Sequence, residues 1–283
     1  MKQVFKKICC KLSRGYRTAF RYNWKTVSGR LFPSVNKEAI FVFGNQKSGT
    51  TVIAALLSDF GGLSSTLDIP TITVEELELL HLRRLAFDDF LAKHKYEFSS
   101  DLIKEPCLTF LYEELRKTFP FSKTVFIIRD PRDNIRSILN RLDIRGDLDI
   151  VKSFNDLHIA WQRVLDNRWM GLKYTHYIDS LAARWNYAAG IYMYYSNEIS
   201  LVRYEDFLVN KTEFIENLAQ QLDIPQANDI SQKVNVQYQS KGNHNISWID
   251  FFGEENLTRI EKICVERMAV FDYKTKLLQL HPR

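Results

Sequence analysis

Several features that define other protein classes are scarce in this chain of 283 residues. Its four cysteines are Cys9, Cys10, Cys107 and Cys264, and they show neither a paired framework nor the spacing of metal ligands. A fold held together by disulfides or a structural metal is therefore not expected. A reducing compartment is the simpler inference from this cysteine usage.

Long hydrophobic runs are also absent. The longest apolar segments have the length of β-strands and are shorter than the ~20 residues that a membrane-spanning helix needs. Neither a repeat nor a low-complexity tract is present, and the hydrophobic content of 45% is ordinary for a globular protein. We expect one soluble, cytoplasmic α/β domain with a sizeable core.

Acidic residues are missing from the first 30 positions, which contain nine Lys or Arg. The remaining 253 residues then carry +5 minus +9, or −4. The sequence therefore predicts a basic arm over residues 1–37 and a folded domain over 38–283. Apolar residues recur in the arm at helical spacing, which suits peripheral contact with an anionic membrane surface. Packing on the domain and a removable targeting segment are the alternatives. Nucleic acid is not an expected partner, because no reader motif accompanies the charge.

A glycine-rich segment follows an apolar strand at residues 39–51, AIFVFGNQKSGTT. Gly44 and Gly49 have the separation of a mononucleotide P-loop, but the lysine is displaced: Thr50 holds its usual position and Lys47 precedes the second glycine. Successive backbone N–H groups that lead into a helix N-terminus attract an anion. The segment therefore predicts a phosphate-binding loop, with an ordinary surface loop as the alternative.

A second motif follows another apolar strand in KTVFIIRDPRDNIRSIL. Arg129 ends the strand and Ser137 lies eight residues later in the next predicted helix. An arginine fork and a serine hydroxyl can bind one phosphate together. The alternative is a surface ion pair of Arg129 with Asp130 or Asp133.

Both motifs, in this order and about 80 residues apart, resemble the sulfotransferase family that uses 3′-phosphoadenosine 5′-phosphosulfate. In that family the first motif holds the 5′-phosphosulfate and the second holds the 3′-phosphate. The resemblance assigns the first role to Lys47, Ser48, Gly49, Thr50 and Thr51, and the second role to Arg129 and Ser137. It also implies a P-loop-like sulfotransferase architecture.

Two weaker matches extend the resemblance towards the C-terminus. LVRYEDF is similar to the family's strand whose tyrosine lies near the adenine, which assigns Tyr204 there. SKGNHNISW is similar to a late loop that closes over the 3′-phosphate, which assigns Lys241 and Gly242 there. The chain departs from cytosolic members at Val52, where they carry a tryptophan, and at Ser240, where a common version has arginine.

The hydrophobic pattern predicts the fold independently of this resemblance. Short apolar strands are expected near 39–45, 101–104, 123–129 and 199–204, and helices at 51–58, 74–93, 107–118, 132–141, 178–195, 207–222 and 254–271. This alternation predicts a central parallel sheet with helices on both faces and ligands at the carboxyl ends of the strands. Residues 143–177 lack a strand pattern, so we expect helices there over the substrate side.

Sulfuryl transfer needs a cation for the departing phosphate oxygen and a base for the acceptor's proton. Lys47 is the expected cation, and no metal cofactor is expected, because a sulfuryl group carries less charge than a phosphoryl group. Glu105 and Asp68 compete for the role of base, 58 and 21 residues after Lys47. Each has a structural alternative: Glu105 can pair with Lys104 or cap a helix, and Asp68 can organise a turn.

The acceptor is left open by the sequence, with carbohydrate, lipid, peptide tyrosine and small alcohols or phenols as candidates. Two other functions are kept as alternatives. One is a P-loop nucleotide phosphotransferase, against which the displaced Lys47 argues. The other is a noncatalytic nucleotide-binding protein associated with a membrane.

Overall fold

Five parallel strands form the centre of the structure, a computed structural model that describes residues 33–69, 71–151, 154–236 and 246–275. They pair in the order β2-β3-β1-β4-β5. The strands are β1 (Ile40–Gly44), β2 (Ser65–Leu67), β3 (Leu102–Lys104), β4 (Thr124–Ile128) and β5 (Ser200–Arg203). All four pairings are parallel, which confirms the predicted α/β class.

The central position of β1 determines where ligands can bind. Val42 lies opposite Lys104 of β3 on one side and Val125 of β4 on the other. Since all the strands run in the same direction, the loops that follow β1, β3 and β4 open at one edge of the sheet. Both predicted phosphate motifs begin at that edge.

Helices connect the strands, and the described residues contain ten α-helices. They are α1 (Thr50–Gly61), α2 (Val74–His81), α3 (Phe87–Lys93), α4 (Tyr112–Thr118), α5 (Pro131–Leu142), α6 (Ile159–Leu165), α7 (Tyr177–Tyr194), α8 (Tyr204–Val209), α9 (Lys211–Gln221) and α10 (Trp248–Val270). Short 3-10 turns occupy Glu97–Ser99, Pro106–Leu111 and Arg168–Met170.

The two faces of the sheet pack against separate apolar clusters. Along β1, Phe41 points into a cluster that includes Trp185 of α7 and Ile260 of α10. Val42 points the other way, into a cluster with residues of α1 and α9 such as Ile53 and Ile215. Because successive strand side chains alternate between faces, a strand buried on both sides is apolar throughout. The uninterrupted apolar runs in the sequence have this cause.

Three helix boundaries show how the sequence specifies the local structure. Helix α2 begins with a capping box, in which Thr73 and Glu76 each accept a hydrogen bond from the other's backbone N–H. Asp130 caps α5 by accepting from Arg132 N, and Pro131 occupies the first helical position. Helix α1 ends at Gly62, whose φ of 61° is left-handed.

The predicted elements differ from the structure at several boundaries. The helix predicted over 74–93 is divided into α2 and α3, with Arg83 between them in the left-handed region at a φ of 56°. Helix α10 is interrupted at Gly253, whose φ of 69° and ψ of 169° are not helical. Strand β2 was not predicted, since Ser65–Leu67 is short and carries two hydroxyl residues.

Some predictions fall on other parts of the chain. The basic arm at 1–30, Lys241 and Gly242 lie outside the described residues, so they stay predictions, as does the domain boundary at 37. Among the residues that the structure does describe, no helix combines the length and the apolarity needed to cross a membrane.

Candidate active site

The loop between β1 and α1 is shaped by two glycines. Gly44 has a φ of 141°, and a Cβ added there would lie 2.4 Å from the Ile127 carbonyl oxygen of β4. Gly49 has a φ of 94°, and a Cβ there would lie 2.2 Å from Cδ2 of Tyr204. Both positions therefore require glycine, for a left-handed conformation and for a close approach.

The loop delivers backbone N–H groups to the start of α1. Gly49 precedes the helix and has no side chain with which to cap it. The first N–H groups of a helix have no acceptor inside the helix, so an anion can bind to them. Thr50, which is buried, and Thr51 occupy these first positions. This geometry fits the predicted phosphate-binding loop.

Amide side chains hold the loop from behind. Asn134 of α5 is fully buried and donates from Nδ2 to the Gln46 carbonyl oxygen at 2.8 Å and to Ser48 Oγ at 3.0 Å. Its Oδ1 accepts from Asn45 Nδ2 at 2.9 Å. Helix α5, which carries the second phosphate motif, is thereby attached directly to the loop of the first.

Arg129 and Tyr204 complete one wall of the loop. Arg129 donates from Nη1 to the Lys47 carbonyl oxygen at 3.0 Å, and its Cζ lies 4.8 Å from the centre of the Tyr204 ring. The Tyr204 ring is in turn against Gly49. The structure thus brings together four residues predicted to bind the nucleotide, and among the described residues it shows no ion pair between Arg129 and an acid.

Ser137 and Arg141 lie on the face of α5 that Asn134 directs towards the loop. In an α-helix, positions i, i+3 and i+7 share one face. Ser137 is half-buried and Arg141, one turn beyond it, is exposed. Arg141 is close enough for its charge to lower the pKa of Lys47. It was not among the predicted site residues.

Lys47 is the electrostatic centre of this arrangement. Its backbone is left-handed, with a φ of 68°. Burial lowers its pKa from 10.5 to about 8, and the charges of Arg141, Arg129 and Lys104 act in the same direction. This concentration of positive charge around a half-buried lysine fits the predicted binding of a multiply charged anion.

The two candidate bases have different surroundings. Asp68 leaves 47% of its side chain exposed and forms an ion pair with Lys104, whose side chain is only 3% exposed. Glu105 is buried, and both of its oxygens accept backbone hydrogen bonds at 3.0 Å, Oε2 from Ile69 and Oε1 from Cys107. Burial and the neighbouring charge of Asp68 raise the pKa of Glu105.

Lys104 interacts with both Lys47 and Asp68. It ends β3, where it lies in register with Val42 of β1 and Leu67 of β2. Its ammonium contributes to the lowered pKa of Lys47 and pairs with the Asp68 carboxylate. Lys104 therefore bridges the phosphate-binding loop and a carboxylate that solvent can reach.

Comparison with known proteins agrees with this geometry. The sulfotransferase domain family matches residues 37–272, most of the chain. The chain belongs to this sulfotransferase family. Sulfotransferase STF9 from Mycobacterium avium has a similar fold, with a TM-score of 0.50 and 14% identity over 88% of this chain and 80% of that chain. No protein with a curated description matches the sequence.

Two further sulfotransferases of known structure are similar to this one. Mouse SULT7A1, solved with PAP, has a TM-score of 0.49 and 14% identity over 88% of this chain and 90% of that chain. The sulfotransferase from Alicyclobacillus acidocaldarius has a TM-score of 0.46 and 12% identity over 87% of this chain and 100% of that chain.

Sequence reasoning missed the residues that support this sulfotransferase site from behind. Asn45, Gln46 and Asn134 hold the loop, and Lys104 and Arg141 add charge to it. A polar residue in a buried position was the available signal for Asn134, which lies among the apolar residues of α5. The spacing of four between Ser137 and Arg141 was the signal for the second cation.

Proposed function

We propose that this sulfotransferase transfers a sulfuryl group from 3′-phosphoadenosine 5′-phosphosulfate to a hydroxyl or amine acceptor. The observation that carries the proposal is the position of Lys47, a half-buried cation with a lowered pKa on a loop of helix-initiating amides. Arg129 after β4, with Ser137 and Arg141 on α5, supplies further groups that can donate hydrogen bonds to a phosphate. Together with the loop amides, these groups provide hydrogen-bond donors for both phosphates of such a nucleotide.

The loop between β1 and α1 would hold the phosphosulfate end of the donor. Backbone N–H groups at the start of α1, with the hydroxyls of Thr50 and Thr51, suit the 5′-phosphate. Arg129 and Ser137 suit the 3′-phosphate, and Tyr204 borders the site beside Arg129. In the transfer, the bond between sulfur and the phosphate oxygen breaks as a bond to the acceptor atom forms. Lys47 then donates a hydrogen bond to the departing oxygen as charge grows on it.

Asp68 is the better placed of the two carboxylates to accept the acceptor's proton. A general base needs an oxygen that can reach the acceptor. Asp68 has solvent access and is linked to the cation cluster through Lys104, whereas both oxygens of Glu105 already accept hydrogen bonds from the backbone. We assign Glu105 the role of fixing the segment that follows β2, and Asp68 the role of base.

The experiment is transfer of labelled sulfuryl from the donor to a panel of acceptors: oligosaccharide, lipid, tyrosine peptide and small phenol. It is run with the wild type, Asp68→Asn and Glu105→Gln. We expect Asp68→Asn to lower kcat by about 100-fold or more, the ordinary contribution of a general base, with affinity for the bisphosphate product retained. Loss of kcat in Glu105→Gln alone would reverse the assignment.

The proposed reaction uses no metal, so the rate of sulfuryl transfer should not depend on divalent ions. Lys47 and the loop amides supply the charge stabilisation that a divalent ion gives in phosphoryl transfer. The rate should therefore be unchanged after dialysis against a chelator and insensitive to added magnesium. Abolition of transfer by the chelator, with recovery on adding magnesium, would contradict this part of the proposal.

A further inference from the structure

Arg184 is a buried cation behind the phosphate-binding loop. It lies in the middle of α7 and is only 1% exposed. Its Nε donates to Asn45 Oδ1 at 3.1 Å, its Nη2 to Gln46 Oε1 at 2.8 Å, and its Nη1 to Asn167 Oδ1 at 2.8 Å. The guanidinium thus contacts two consecutive residues of the loop and one residue of the segment between α6 and α7.

The partners of Arg184 carry no charge. Among the residues that the structure describes, none of its hydrogen-bond acceptors is a carboxylate: they are three amide oxygens and the Met170 sulfur. Its Cζ also lies 4.4 Å from the centre of the Phe110 ring. Burial lowers its pKa to about 10, so it is still charged at neutral pH. Such a charge is costly to bury unless it serves another interaction.

Asn167 anchors the guanidinium on the side away from the loop. Its Nδ2 donates to the Val164 and Ser180 carbonyl oxygens, both at 3.1 Å, and to Ser180 Oγ at 2.9 Å. Ser180 Oγ donates to the Leu165 carbonyl oxygen at 2.7 Å. The end of α6 and the first turn of α7 therefore hold Arg184 in one orientation, and Arg184 holds the side chains of Asn45 and Gln46.

We infer that Arg184 is a positioning residue for the 5′-phosphate end of the donor, which acts through Asn45 and Gln46 and adds an unneutralised positive charge behind the loop. This rests on the proposed function. It has a selective consequence, because the hydrogen bonds of Arg184 reach two residues of the loop and no described residue of α5, which carries Ser137. Loss of Arg184 should weaken a ligand that carries a 5′-phosphate and leave one without it largely unaffected.

The test measures affinity by calorimetry for adenosine 3′,5′-bisphosphate and for adenosine 3′-phosphate, which lacks the 5′-phosphate. Arg184→Gln should weaken binding of the bisphosphate about tenfold or more, as expected for loss of charge-assisted contacts. It should weaken binding of adenosine 3′-phosphate by less than about twofold. Arg184→Lys, which keeps the charge and loses the fork, should fall between wild type and Arg184→Gln.

Two other variants keep the test decisive if Arg184→Gln folds poorly. Gln46→Ala removes a loop partner of Arg184 and should weaken the bisphosphate selectively. Asn186→Ala removes a hydrogen bond of 2.9 Å from α7 to the Ile263 carbonyl oxygen, outside the contacts of Arg184, so it should leave the affinity ratio of the two ligands unchanged. If Arg184→Gln weakens binding of both ligands equally, the inference about Arg184 is overturned and the proposed function is not. A wild-type protein that binds neither ligand would overturn the proposed function as well.

Discussion

Lys47 combines a left-handed backbone, partial burial and three neighbouring cations in a single residue. A lysine in the usual P-loop position follows the second glycine, whereas here the side chain leaves the loop before Gly49. The charge of Lys104, which pairs with Asp68, is close enough to lower the pKa of Lys47.

The lowered pKa of Lys47 predicts how binding depends on pH. Its pKa is about 8 in the free protein, below the ordinary 10.5, and a bound anion would raise it again. Affinity for the bisphosphate should be full below pH 8 and should fall as pH rises through and above that value, by up to about tenfold per unit, because binding then takes up a proton.

Calorimetry between pH 7 and 10 measures this dependence. The phosphates keep their charge over that range, since their second pKa is about 6. Lys47→Arg, which stays charged, should show a nearly flat profile. A wild-type profile as flat as that of Lys47→Arg would contradict the role of the Lys47 proton.

The buried carboxylate of Glu105 contributes to the stability of the fold. Its two oxygens accept hydrogen bonds from Ile69 N and Cys107 N, so an amide in its place can satisfy only one of them. Glu105→Gln should lower the free energy of unfolding by about 1–3 kcal/mol, the cost of an unpaired buried donor. Denaturant unfolding measures it. Unchanged stability would indicate that this carboxyl group has no structural role.

At the scale of elements, the loop from β1 to α1 depends on Gly49. Gly49→Ala should strain a backbone at a φ of 94° and drive a methyl into the Tyr204 ring, 2.2 Å away. Affinity for the bisphosphate should fall more than about tenfold, the effect of moving several anion-binding amides at once. Gly171→Ala is the matched control, since Gly171 has a φ of 78° and nothing within 4 Å of an added Cβ.

The control separates strain from loss of the site. Gly171→Ala should cost about 1–2 kcal/mol of stability, the ordinary penalty for a left-handed alanine, and should leave ligand affinity unchanged. Equal ligand affinity in Gly49→Ala and Gly171→Ala would mean that the loop is not the anion site.

Some strands and helix boundaries could be predicted from the sequence pattern and others could not. Strands β1, β3 and β4 were predictable because each is a short, largely apolar segment that is buried throughout. Strand β5 is only partly buried, and its apolar residues followed by polar sequence were the signal. Strand β2 was not predictable from its sequence, because Ser65–Leu67 is identified as a strand only by its pairing with β3. Arg83 divides a helix by adopting a left-handed conformation that the hydrophobic pattern does not record.

The same limit applies to the site. The glycines, Lys47 and Arg129 were predictable because they follow strands closely and have typical spacing. The buried position of Asn134 had a signal in the pattern of α5, but the contacts of Asn134 and Arg184 had none, since their partners Ser48 and Gln46 lie 86 and 138 positions away in sequence. Side chains that support a loop from other helices leave no spacing signal.

At the scale of the whole molecule, the charge is divided between two regions. The nine cations in the first 30 residues give the arm the sign that anionic lipids attract, whereas residues 31–283 carry a net −4. We propose that the arm makes peripheral contact with such a surface. The full chain should sediment with vesicles containing anionic lipid, and more strongly at low salt, while a chain without residues 1–30 should not. Equal sedimentation of the two would contradict the proposal.

The donor site can be tested most directly by thermal unfolding with two ligands, adenosine 3′,5′-bisphosphate and ATP with magnesium. At 100 times its Kd, a ligand stabilises the folded state by about 2.7 kcal/mol, which for a domain of this size raises Tm by about 5 °C or more. We predict that the bisphosphate gives this shift without metal and that ATP with magnesium gives a smaller one at equal concentration. A larger shift with ATP and magnesium would contradict the sulfotransferase assignment and favour a phosphotransferase.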